Sequence, residues 1–136
     1  MSHDNVDLFE LVVDAYNRRD VEALLEVAHP DVEWHPAGVR ALTGDEAGVF
    51  RGHDGMRQMF REVDEEFSAV EVDLSEVRVL GERFVAIGRF HARGRESEAE
   101  VTSPLGAVAD FADGKVLRVQ TYLDHAEALE AAGLRE

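Results

Sequence analysis

Phe111-Ala112-Asp113-Gly114-Lys115-Val116 joins two runs of strand-type residues, and its reading decides the fold. Asp-Gly between such runs marks a tight hairpin, because both residues tolerate the positive φ that the turn requires. Before it, Glu98 to Phe111 reads as a strand interrupted near Ser103-Pro104; after it, Val116 to Leu123 reads as the last strand. Upstream, Val70 to Leu80 and Phe84 to Arg93 read as two more strands joined by the turn Gly81-Glu82-Arg83. Together they predict four consecutive strands of period two.

The first half of the chain has a different period. Leu8, Phe9, Leu11, Val12, Ala15 and Tyr16 recur at three-to-four spacing and predict a helix over 5–18. Asn17-Arg18-Arg19-Asp20 breaks it, and Asp20 is suited to N-cap a short second helix over 21–28. His29-Pro30-Asp31 ends that helix, since proline cannot continue the hydrogen-bond ladder. Val32-Glu33-Trp34-His35 alternates as a short strand. Residues 37–52 read as a long loop, of the kind that often forms a lid or entrance. A third helix is expected over 53–67, with Met56, Met59, Phe60, Val63 and Phe67 on its buried face. His125 to Ala132 forms a terminal helix stopped by Gly133. Helices first and a mainly antiparallel sheet later define an α+β chain, read as one domain over 1–136. A curved sheet wrapped over the N-terminal helices leaves a concave space of the kind ligands occupy.

Composition narrows the function. With 14 basic and 29 acidic residues the net charge is −15, which disfavours nucleic acid and anionic membranes as partners. The acidity is read as a solubility device, or as adaptation to high salt. No apolar run approaches the roughly 18–20 residues that span a bilayer. Met1-Ser2-His3-Asp4 lacks the apolar core of a signal peptide, and the expected location is cytoplasmic. The absence of cysteine excludes thiolate chemistry. The histidines and carboxylates show no metal-ligand spacing, so neither a metal nor another cofactor is expected.

The chain resembles the SnoaL-like polyketide cyclases, within the superfamily of nuclear transport factor two and ketosteroid isomerase. The resemblance rests on Ala15-Tyr16-Asn17-Arg18-Arg19-Asp20, on Pro30-Asp31-Val32-Glu33-Trp34-His35-Pro36 and on Phe50-Arg51-Gly52-His53-Asp54-Gly55. It continues through Phe111-Ala112-Asp113-Gly114-Lys115-Val116 and Tyr122-Leu123-Asp124 ahead of Glu127-Ala128-Leu129, and so covers nearly the whole chain. It implies a cone-shaped α+β barrel and a homodimer through the outer sheet face, for which the sequence itself offers only Val85, Ile87 and Tyr122 as outward apolar contacts. It does not imply one activity, because this fold carries isomerases, cyclases, hydrolases, dehydratases and pure binding modules.

His35 is the first candidate for chemistry. It ends the strand on which the isomerase-like relatives carry a carboxylate base, and imidazole titrates near neutral pH. The plainer reading is a strand-end histidine bonded to its surroundings. Glu33 shares its parity and would orient the imidazole, whereas Trp34 points to the opposite face. Asp124 is the acidic candidate, but Asp124-His125-Ala126-Glu127 has the spacing of a capping box, and the cap is the favoured reading. His53 is read as a turn or capping residue. Arg89, His91 and Arg93 share the outer face of their strand, with Asp110 as a pairing partner for Arg89 or His91. Ala86, Gly88, Phe90 and Ala92 then face inward, as do Ala107, Ala109, Phe111, Val119, Thr121 and Leu123. With Val12, Tyr16, Trp34, Met59 and Phe60 they suggest a roomy apolar pocket for a hydrophobic small molecule. Both oxyanion donors of the ketosteroid isomerases are missing, their places falling at Val12 and near Ala107, so true ketosteroid isomerisation is not expected. The sequence thus points to a small-molecule-binding domain; a catalytic version would be a cofactor-free isomerase or cyclase abstracting a proton beside a carbonyl. The alternative is a non-catalytic ligand-binding or dimerising module.

Overall fold

The computed structural model describes residues 2–35, 49–81 and 83–133. Among the described residues ten elements follow one another: α1 (Ser2–Arg18), α2 (Val21–Val27), β1 (Ala28–His35), β2 (Phe50–Arg51), α3 (Gly52–Glu66), β3 (Phe67–Leu80), β4 (Arg83–Gly94), β5 (Glu100–Ala112), β6 (Lys115–Tyr122) and α4 (His125–Ala131). Most of the expected loop over 37–52 lies outside the described residues, and its last residues form β2 and the start of α3. No described helix is long and apolar enough to cross a membrane.

The strands form one curved sheet in the order β2-β1-β6-β5-β4-β3. Every pairing is antiparallel except β1 with β6. The barrel expected from the resemblance is not closed: β2 and β3 remain as edges. Both prolines read as breaks lie inside strands. Pro30 falls where the β1–β6 register shifts between Ala28 and Glu33, so no ladder bond is lost there. Pro104 pairs with Arg89 on β4, but β6 begins pairing with β5 only at Gly106, so Pro104 sits on a locally open edge.

The inner face of the sheet and the helices α1 to α3 enclose the main core. Phe84, Leu24, Met56, Val12 and Val32 are its largest fully buried side chains. Asp20 caps α2 as read, accepting from the Ala23 N–H at 3.1 Å. His53 ties the start of α3 to β1 through the Ala28 carbonyl at 3.0 Å.

The outer face holds a correction. Val85 and Ile87, expected as outward apolar contacts for a partner, are buried in a second core beneath α4. Val108, Ala128, Leu129 and Ala132 complete that core, with Tyr122 packed against it. The approach is close: a Cβ on Gly106 would stand 2.4 Å from the Ala128 Cβ. Asp110 pairs with Arg83 at 2.7 Å rather than with Arg89 or His91, because the register sets Arg83 opposite it. His91 instead bonds Thr102 at 3.1 Å, and Arg93 pairs with Glu100.

Candidate functional site

Between α1, α3 and the inner sheet face lies a cavity of about 330 Å³. Helix α1 contributes Phe9, Val12, Val13 and Tyr16, which is the three-to-four stripe read from the sequence. Helix α3 contributes Met59, Glu62, Val63 and Glu66, again one face. From β3 come Phe67, Val70, Val72 and Leu74, where period-two alternation sends every second side chain inward. Phe90, Ala92, Leu105, Ala107, Val119 and Thr121 form the floor, with Trp34, Phe50 and Leu123 beside them. The walls are therefore almost wholly apolar, and among the described residues the lining holds no lysine, arginine or histidine.

The polar atoms are few and placed by packing. Tyr16 stacks on Trp34, with centroids 6.0 Å apart and planes 12° from parallel. Phe60 meets Tyr16 in an edge arrangement, at 5.9 Å and 87°. Such pairs hold a ring in place beyond what its buried area alone would do, by about 0.5–1.5 kcal/mol. Neither the Tyr16 hydroxyl nor the Trp34 indole N–H has a hydrogen-bond partner among the described residues. Burial pushes the Tyr16 phenol above its ordinary value, with Arg19 pulling weakly the other way. Thr121 donates to the His35 carbonyl at 3.3 Å.

The acid–base candidates stand elsewhere. Trp34 takes the cavity side of β1, so His35, one residue on, faces the opposite side and does not line the cavity. It is buried, and its Nε2–H donates to the Glu33 carboxylate at 3.0 Å. Glu33 also approaches Arg51, at 3.6 Å. The hydrogen bond from His35, aided by Arg51, draws the Glu33 carboxyl below its ordinary value. Asp124 accepts from the N–H groups of Ala126 at 2.7 Å and Glu127 at 3.3 Å, which makes it the N-cap of α4. Among the residues proposed as ligand contacts, Val12, Tyr16, Trp34, Met59, Phe90, Ala107, Val119 and Thr121 line the cavity. Phe60, Gly88 and Ala109 do not. Phe60 sits behind Tyr16, Ala109 is wholly buried in the core, and Gly88 is pressed against β3, where a Cβ would meet the Asp73 carbonyl at 2.1 Å. The sequence reading missed Glu62 and Glu66, although their three- and seven-residue spacing from Met59 places them on one helical face.

The SnoaL-like domain family matches residues 9–119. The chain belongs to the SnoaL-like family. No curated protein matches it at a significant level. Among solved structures, an NTF2-like protein of unknown function from Burkholderia pseudomallei is 25% identical, with a TM-score of 0.77 over 93% of this chain and 95% of that one. An NTF2-like protein from Burkholderia xenovorans is also 25% identical, with a TM-score of 0.71 over 96% and 95%. A putative polyketide cyclase from Xanthomonas campestris shares the fold at 19% identity, with a TM-score of 0.76 over 92% and 93%. These likenesses place this SnoaL-like chain in the cone-shaped α+β class with an open, curved sheet.

Proposed function

We propose that this SnoaL-like domain binds a small molecule with a compact apolar or aromatic body in the cavity under α1 and α3. The observation that carries the reading is the lining: apolar walls around two donors that have no partner among the described residues, the Tyr16 hydroxyl and the Trp34 indole. Apolar walls reward loss of ligand surface from water, and an acceptor on the ligand would satisfy a donor that is otherwise left dry. Binding is favoured over proton transfer because a general base must reach its proton within about 2.6–3.2 Å, directly or through one water. His35, Glu33 and Asp124 lie outside the lining. A homodimer through the sheet would have to use a surface other than Val85 and Ile87, which α4 already covers; a monomer in sedimentation at micromolar concentration would remove it.

Trp34 is the chain's single tryptophan, so its emission reports occupancy of the cavity. The experiment is a titration with para-tert-butylbenzyl alcohol and a panel of neutral aromatic carbonyl compounds, read by Trp34 fluorescence and thermal melting. Saturation at about 100 times Kd stabilises by about 2.7 kcal/mol, which for a domain of this size is a shift of about 10 °C. If no member of the panel moves either signal, the binding reading fails.

A further inference from the structure

We infer that the cavity selects a ligand carrying one cationic amine, its apolar body among the walls and its ammonium at the mouth beside Glu62 and Glu66. This rests on the binding reading above and adds the charge of the ligand. The two carboxylates are one turn apart on α3, both line the cavity, and both are exposed to solvent. They therefore mark the place where the cavity opens. Among the described residues, no basic side chain lines the cavity to neutralise them, and Glu62 accepts from a neutral donor, the Gln58 amide at 2.9 Å. Arg95, beside the same helix end, directs its guanidinium to the carbonyls of Asp64 and Phe67. Arg19 is paired with Asp64.

Glu66 is the last residue of α3, and the last turn contains no basic residue. The carbonyls there are taken, Val63 by the Phe67 N–H, Asp64 by the Arg95 guanidinium and Glu66 by the Arg95 N–H, so the negative field at this end comes from the two carboxylates. Like charges four residues apart also repel, and a cation between them removes that repulsion. Trp34 is nine-tenths buried with its indole N–H unpartnered among the described residues, and it stacks on Tyr16. That end suits the uncharged part of the ligand. One end of the cavity is thus dry and aromatic while the other is anionic and wet, the complement of an amphipathic amine. An anion of the same shape would meet the two carboxylates with no compensating charge.

The test compares two isosteric probes, para-tert-butylbenzylamine and para-tert-butylbenzyl alcohol, by calorimetry at low and high salt. Exposed ion pairs are individually weak, so the amine should bind the wild type about tenfold tighter at low salt and lose much of that margin at high salt. In the Glu62→Gln/Glu66→Gln variant the amine-to-alcohol ratio should fall to about one. Both substitutions are conservative and exposed, and thermal melting confirms that the variant is folded. Equal affinities in the wild type, or a ratio unchanged in the variant, overturns the charge assignment while leaving the binding reading intact. Binding of neither probe overturns the charge assignment, and together with a silent carbonyl panel it overturns the binding reading as well.

Discussion

The side-chain amide of Asn17 is bonded twice to the backbone of Val72, donating to its carbonyl at 2.9 Å and accepting from its N–H at 2.8 Å. Val72 lies on β3, an edge strand, where these groups would otherwise lack a strand partner. The end of α1 thereby acts as a one-residue strand and holds the helix over the cavity that Val72 helps to line. Asn17→Ala should cost about 1–3 kcal/mol, the usual penalty for stranding partly buried partners. Asn17→Asp should be no better, since it keeps the acceptor but sets a carboxylate against the Val72 carbonyl. Urea denaturation measures both, and wild-type stability in Asn17→Ala would remove the clamp.

Gly106 and Ala128 set how closely α4 lies on the sheet. A methyl at position 106 would stand 2.4 Å from the Ala128 Cβ, so Gly106→Ala should destabilise by about 1–3 kcal/mol through overpacking. Adding Ala128→Gly reopens the space at a helix-propensity cost of about 1 kcal/mol. A double-mutant cycle should therefore show favourable coupling, and strict additivity would mean that the contact is not what limits the approach.

Ala107 lines the cavity without blocking it. Ala107→Leu adds apolar volume to empty space, so the melting temperature should hold or rise. Affinity for para-tert-butylbenzyl alcohol should fall by about tenfold or more, the equivalent of about 1.4 kcal/mol. Unchanged affinity would show that the probe binds elsewhere.

Glu33 predicts a response to acid. Its carboxyl is held below the ordinary value of 4.5, first by the hydrogen bond from His35 and then by Arg51. A depressed carboxylate contributes stability that is fully present above the unfolded value and lost as pH falls through the folded one. The contribution is therefore expected above about pH 4.5 and disappears below it. It is small, because the Glu33 side chain is 38% exposed and solvent screens the pair. Stability curves of wild type and Glu33→Gln should converge in that acid range, and parallel curves would exclude the linkage.

Tyr16 predicts the opposite sign at high pH. Burial raises its phenol above 10.0, so its contribution is fully present below that value and lost as pH rises through the folded value. Native-state ultraviolet titration should resolve a late-ionising tyrosine that is absent in Tyr16→Phe. A wild-type curve with no late component would contradict the packing between Trp34 and Phe60.

Local chemistry was legible in the sequence wherever a short stretch contained both partners. The Asp20 and Asp124 caps, the Asp113-Gly114 hairpin and the stripe of α1 each depend on residues a few positions apart, and each was readable. Alternation likewise showed that Trp34 and His35 lie on opposite faces of their strand, and that Phe90 and Ala107 share their faces with other small or apolar residues. Alternation gives two faces but not which one is inside. That choice came from pairing β1 in parallel with β6, which turned Trp34 to the cavity and His35 away from it. Only tertiary structure brought Asn17 to Val72 across 55 residues and closed α4 over Val85 and Ile87. These are contacts between distant segments, whose geometry follows from how the elements pack, and no local periodicity encodes them.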